Sequence, residues 1–170
     1  GKLDEFADYL RSGVGDRVDV ALIKFCYSDI RESSGPGFDS IDELFKTCAA
    51  TMAELERAYP QVTFVYATIP VENLEIKGGR TPGLARHNAN RARFNALVRA
   101  HAGTSRPLWD VARLESIGPD GSRYVTTYDG SSHEGLHPDY TRDGGHLNDR
   151  AGLGRKAVAA ELVRQIAKLS

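Results

Sequence analysis

Three short apolar runs, separated by longer segments of helical period, constrain this chain more than any other feature. The runs are Val18–Phe25 (VDVALIKF), Val62–Thr68 (VTFVYAT) and Pro107–Val111 (PLWDV). Their β-branched and aromatic content suits strands, and their near-continuous apolar character suits strands covered on both faces. Ahead of the first run, Leu3, Phe6 and Leu10 recur at spacings of three and four, so residues 2–11 are expected as a short amphipathic helix stopped by Gly13 and Gly15. Ser40 and Glu43 form a capping box before the stripe Ile41, Leu44, Phe45, Cys48, Met52, Leu55 and Tyr59, with Pro60 just past its end. A third helix is expected over 86–102, with Phe94, Leu97 and Val98 inward. Its Arg86, Asn88, Asn90, Arg91, Arg93 and Asn95 are read as a solvated polar face. Trp109 belongs with Phe94 in the core. A last helix, capped by Asn148 or Asp149, carries the stripe Val158, Leu162, Ile166 and Leu169.

Alternation of this kind argues for a single α/β domain over residues 1–170, with parallel strands and right-handed crossovers. Three strands are fewer than such sheets usually contain. Further strands are therefore expected from sequence upstream, from a partner chain or from an oligomer. Ligands of open parallel sheets bind beyond the carboxyl ends of the strands. The turn after Phe25, the turn after Thr68 and the loop leading to His146 should thus meet on one rim. Residues 115–147, rich in Gly, Ser, Asp and His, show no period and are expected to be a long loop, functional or disordered.

Composition narrows the classes of partner. Lys plus Arg total 22 against 23 Asp plus Glu, a net charge of -1, which gives no electrostatic case for nucleic acid or an anionic membrane. No apolar run is long enough to span a bilayer. Cys26 and Cys48 are expected as free buried thiols, not a disulfide framework.

The sharpest local feature is Asp143-Gly144-Gly145-His146-Leu147-Asn148. Two glycines let the backbone turn tightly enough for the carboxylate to accept the imidazole Nδ1–H. That bond fixes the tautomer and leaves Nε2 to take a proton from a hydroxyl nucleophile. The bland alternative is a loop whose Asp and His meet solvent. His133, His137, Asp139, Asp143 and His146 are also close enough in sequence to suggest a metal cluster. However, His133-x-x-x-His137 would need a helix, which Gly135 and Pro138 oppose.

The block from Asp143 to Asn148, followed by a C-terminal helix, resembles the last conserved block of SGNH (GDSL-like) serine hydrolases. Val18–Ile30 resembles that family's strand ending in Gly-x-Asn-Asp, so that Cys26 falls on the Gly, Ser28 on the oxyanion-hole Asn and Asp29 on the Asp. Thr68-Ile69-Pro70 resembles the strand end between those blocks. The resemblance runs from about residue 18 to the end of the chain. It implies a three-layer, flavodoxin-like fold and a serine esterase acting on an acyl or acetyl ester, such as an acetylated sugar, with neither cofactor nor metal. His146 would be the base and Asp143 its orienting acid. Ser28 would be an oxyanion-hole donor or, more boldly, the nucleophile. Asp29, Cys26, Pro70 and His137 would line the site.

Two departures stand out. No Gly-Asp-Ser-like block that would carry the family's nucleophile occurs in the chain, nor does the second block's oxyanion Gly, for which Gly13 and Gly15 are poor matches. Ser28 also replaces an Asn whose loss typically costs on the order of 100- to 1,000-fold in rate. Asp29 alternatively serves as a turn residue before Gly35, Pro36 and Gly37, and Lys24 as a snorkelling rim residue. Two rival readings follow: a catalytically inactive SGNH-like domain that binds carbohydrate or protein, and a metal-dependent hydrolase using His133, His137 and His146.

Overall fold

A computed structural model describes residues 1–30, 40–78, 82–148 and 153–169. Among these, three parallel strands lie in the order β1 (Val20–Leu22), β2 (Thr63–Ala67), β3 (Leu108–Trp109). Val20 stands opposite Thr63 and Leu22 opposite Val65 on one side of β2, and Ala67 opposite Trp109 on the other. The central strand is buried on both faces, which is why its sequence is apolar throughout. Phe64 and Tyr66 pack with α1 (Lys2–Tyr9), α2 (Ile41–Ala58) and α3 (Pro82–Ala102). Val65 and Ala67 pack with Trp109, with Val111 at the start of α4 (Val111–Ser116), and with Val158 of α5 (Leu153–Ala167). The result is a sheet between two helical layers.

The stripe of α2 behaves as its spacing predicts. Ser40 Oγ accepts the Glu43 N–H at 3.2 Å, and Ile41, Leu44, Cys48, Met52 and Leu55 are buried beneath. Past α1, Leu10–Val14 forms one widened turn that Gly13 ends with φ +95°, a conformation that favours glycine. In α5, Val158 is buried, and Leu162 and, just past the helix end, Leu169 pack on the same cluster, whereas Ile166, expected on that stripe, faces solvent. Asp149, one of the two expected caps, lies outside the described residues, as do Gly35, Pro36 and Gly37.

Four expectations change. The first strand is Val20–Leu22, shorter than Val18–Phe25; past the end of β2, at Ala67, the chain is held by α3 instead, Asn95 accepting the Ile69 N–H at 2.7 Å and donating to its carbonyl at 3.0 Å. The third strand stops at Trp109, because Asp110 caps α4, its Oδ1 accepting the Arg113 N–H at 3.4 Å. The segment 115–147 is not one structureless loop: β4 (Val125–Tyr128) and β5 (Ser131–Glu134) form an antiparallel hairpin. Its two-residue turn is Asp129-Gly130, both at positive φ. Finally, the polar face of α3 is not solvated. Asn88, Arg91 and Asn95 are fully buried, while Arg86 and Arg93 are exposed. The spacing of three and four places these buried residues on the same inward side as Phe94 and Val98.

Candidate active site

The loop between Tyr140 and Asn148 is folded around one carboxylate. Asp143 Oδ1 accepts the backbone N–H of Gly145 at 2.9 Å and of His146 at 2.8 Å, and the Thr141 hydroxyl at 3.3 Å. Asp143 Oδ2 lies 2.5 Å from His146 Nδ1. The His146 backbone bond, its imidazole bond and the Gly145 N–H hold the Asp143 carboxyl well below the usual carboxylate range. Gly144 has φ +79°, and a Cβ there would meet Lys77 Cγ at 2.6 Å and the Asn73 carbonyl at 2.8 Å. The first glycine of the motif is therefore required by both backbone and neighbours. The pair itself is open to solvent, with side-chain exposures of 72% for His146 and 56% for Asp143.

The buried polar stripe of α3 sets this loop against the strand ends. Asn88 accepts the Glu72 N–H at 3.1 Å and donates to the Glu72 carbonyl at 2.8 Å. Asn73 then donates its backbone N–H to the Gly144 carbonyl at 2.8 Å and its side-chain amide to the Leu136 carbonyl at 2.8 Å. Arg91 pairs with Glu72 at 2.7 Å, and donates to the Tyr27 carbonyl from Nη2 at 2.7 Å and from Nε at 3.0 Å. Burial alone would raise the Glu72 carboxyl; Arg91 and Lys77 outweigh it and lower it. One helix face thus fixes the chain after β1, the chain after β2 and, through Asn73, the Asp143–His146 loop.

The residues singled out in sequence sit as follows. Cys26, Tyr27, Ser28 and Asp29 form a turn just beyond the first strand. Asp29 accepts the Cys26 N–H at 2.7 Å, gives its own N–H to the Cys26 carbonyl at 3.0 Å, and pairs with Lys2. That is the behaviour of a turn-closing residue. Ser28 is exposed on this turn and Cys26 is half-buried. Burial raises the Cys26 thiol, but hydrogen bonds from Ser28 and the charge of Lys24 outweigh it and leave it below its ordinary value. Cys26 and Cys48 are both free thiols. Pro70 is buried within the segment that Asn95 and Asn88 clamp.

His137 is buried with its ring turned to Ser122 Oγ, 3.1 Å from Nε2, and to the Asp139 N–H, 3.3 Å from Nδ1. His133 lies in β5 opposite Thr126. Among the described residues no three His, Cys, Asp or Glu side chains are grouped to hold a metal ion. The trio His133, His137 and His146 therefore does not form a donor set.

Two residues at the pair were not foreseen. Tyr27 Oη is 3.1 Å from His146 Nε2, and the Lys77 ammonium, ion-paired with Glu72, lies 4.8 Å from the Tyr27 ring centroid. No local motif marks either one; only the crossing of the two strand ends brings them here. On the open side, Arg142, Asp143, His146, Leu147, Asn148 and Arg155 line a cleft of about 320 Å³.

Solved structures share this arrangement of elements. A protein of Bacteroides fragilis assigned as an acylhydrolase superposes with a TM-score of 0.65 at 20% identity, covering 100% of this chain and 72% of its own. A GDSL-like lipase of Bacteroides thetaiotaomicron gives 0.61 at 20% identity, with 100% and 73% covered. The chain has the GDSL-like hydrolase fold. A third structure, from Streptococcus pneumonia and assigned as a platelet activating factor, gives 0.57 at 19% identity, with 96% and 68% covered. No family model and no curated protein matches the sequence. Within the GDSL-like fold the rim of the parallel sheet is where Asp143, His146 and the turn after β1 meet. No helix among the described residues is long and apolar enough to cross a membrane.

Proposed function

We propose that this chain carries the base and orienting acid of a serine-type ester hydrolase. The observation that carries the reading is the His146 Nδ1 to Asp143 Oδ2 bond at 2.5 Å, in a loop of a GDSL-like fold. With Nδ1–H committed to the carboxylate, Nε2 is the atom that takes the nucleophile's proton and later returns it to the leaving alcohol. Asp143, kept ionised by two backbone N–H groups, stabilises the imidazolium in between. The nucleophilic serine is either one not identified in this chain, Ser28 included, or one supplied by a further strand or a partner chain. The Ser28 hydroxyl and neighbouring backbone N–H groups supply the oxyanion donors. The substrate is a small acyl or acetyl ester, carbohydrate esters included, and the chemistry needs no metal or cofactor.

Hydrolysis of p-nitrophenyl acetate by the full enzyme, with whatever strand or chain supplies the nucleophile, tests this directly. His146→Ala should lower the rate by about 10²- to 10⁴-fold, and an unchanged rate rules the assignment out. The second reading, an inactive domain binding carbohydrate or protein, draws on Ser28 standing where the family motif has Asn. Covalent labelling of that full enzyme by a fluorophosphonate separates the two, since a binding domain does not label. Ser28→Ala with full activity would remove Ser28 as nucleophile.

A further inference from the structure

The nitrogen that this chemistry needs already has a partner. Tyr27 Oη lies 3.1 Å from His146 Nε2, and the two rings meet edge to face with centroids 5.6 Å apart and planes at 74°. Because Asp143 takes the Nδ1–H, the neutral imidazole offers only a lone pair at Nε2. The Tyr27 hydroxyl is therefore the donor. Burial raises the Tyr27 phenol above its ordinary value, so it keeps its proton at neutral pH.

Nothing about burial forces this contact, since the His146 side chain is 72% exposed and water would satisfy Nε2 equally well. The contact is instead built from the other side. Arg91, itself fully buried, grips the Tyr27 carbonyl with two N–H groups. The Lys77 ammonium, anchored on Glu72, covers the ring face. Position 145 is bare where the phenol lies: a Cβ there would come within 2.9 Å of Tyr27 Oη and 3.0 Å of its Cζ. The second glycine of the motif is thus explained by Tyr27, as the first is by Lys77 and Asn73.

We propose that Tyr27 is a resting latch on His146: its phenol holds Nε2 in the resting protein, and an incoming nucleophilic hydroxyl gains that nitrogen only by displacing it. The proposal rests on the reading of His146 as the general base. Giving up one such hydrogen bond should change the availability of Nε2 by about two- to tenfold.

Diethyl pyrocarbonate, which acylates an unprotonated imidazole nitrogen, measures that availability without any ester substrate. Carbethoxylation of each histidine is followed by peptide mass spectrometry, with His87, His101, His133 and His137 as internal references. Tyr27→Phe keeps the ring on Lys77 and removes the hydroxyl; His146 should then react about two- to tenfold faster than in the wild type while the references stay constant. Gly145→Ala, which pushes the phenol away but leaves its hydroxyl intact, should move His146 in the same direction. A variant that loses its fold accelerates all histidines together, and the other variant then decides. Equal His146 rates in the wild type and both folded variants overturn the latch. The two readings fail separately. A faster His146 in a protein that cleaves no ester counts against the esterase and leaves the latch standing. An unchanged His146 in a working esterase removes the latch alone.

Discussion

Two carboxylates on the same rim are each paired with a nitrogen-bearing side chain, and the two pairs have opposite surroundings. Glu72 and Arg91 are side chains with 4% and 0% exposure; Asp143 and His146 have 56% and 72%. The inner pair is saturated: Arg91 also binds the Tyr27 and Ile30 carbonyls and the Asn88 amide oxygen, and Glu72 has Lys77 as a second cation. The outer pair is satisfied on the Asp143 side by backbone N–H groups, while the imidazole turns its second nitrogen outward to Tyr27. Removing charges from water costs several kcal/mol per ion, recovered only by full pairing, whereas an exposed pair contributes about 1 kcal/mol or less. The inner pair is therefore bound to one geometry and acts as a fastener. The outer pair carries little of the stability, so its proton is free to move, which is the property a base requires.

Asp143→Asn breaks the comparison most sharply. The amide keeps an oxygen for the Gly145 and His146 N–H groups but cannot hold the imidazole in its Nδ1–H tautomer. Ester hydrolysis should fall by up to about 10⁴-fold, while the denaturant midpoint moves by no more than about 1 kcal/mol of stability. A large loss of stability would mean that the outer pair is a fastener too. Arg91→Met is the converse. It leaves the Glu72 carboxylate buried with Lys77 alone, and chemical denaturation should show a loss of about 3 kcal/mol. Because the turn that carries Ser28 loses its anchor on Arg91 at the same time, activity should fall with it, whereas Arg93→Met, which loses the exposed pair with Asp42, should change neither. A stable Arg91→Met protein would show that the inner network is dispensable.

The contrast between these pairs also explains what the amino-acid pattern disclosed. The layers were legible because β2 must be apolar on both faces and α2 on one, and burial writes those periods directly into sequence. The Asp143–His146 pair was legible because its geometry is local, made by two glycines within four residues. The inner network was not. Asn88, Arg91 and Asn95 look like a solvated face until β1 and β2 end against them, since a buried polar group is distinguished from a solvated one only by partners remote in sequence. Tyr27 and Lys77 were missed for the same reason. The hairpin is a different case: Asp129-Gly130 between Val125-Thr-Thr-Tyr128 and Ser131 is a two-residue turn signal that the polar composition of the segment concealed.

Glu115 sharpens the comparison with a third carboxylate. It is as buried as Glu72, but among the described residues its carboxylate accepts one hydrogen bond, from the Val71 N–H at 3.0 Å, and makes no ion pair. Burial pushes its carboxyl up to about 8, with the Val71 bond and the charges of Lys24 and Arg91 acting weakly against it. Here the folded value lies above the unfolded one, so the folded state holds the proton more tightly. Its contribution to stability is complete below the ordinary carboxyl range and is lost as pH rises toward about 8. Relative to Glu115→Gln, which keeps the shape and cannot ionise, the wild type should lose about 1.4 kcal/mol of unfolding free energy per pH unit across that window. Urea denaturation of both proteins at intervals from pH 5 to 8 reads this as a diverging pair of curves. Parallel curves would place a cation or water against Glu115 and make it a second Glu72. Divergence would show that at this rim the partner, and not the depth of burial, decides whether a carboxyl is a charge.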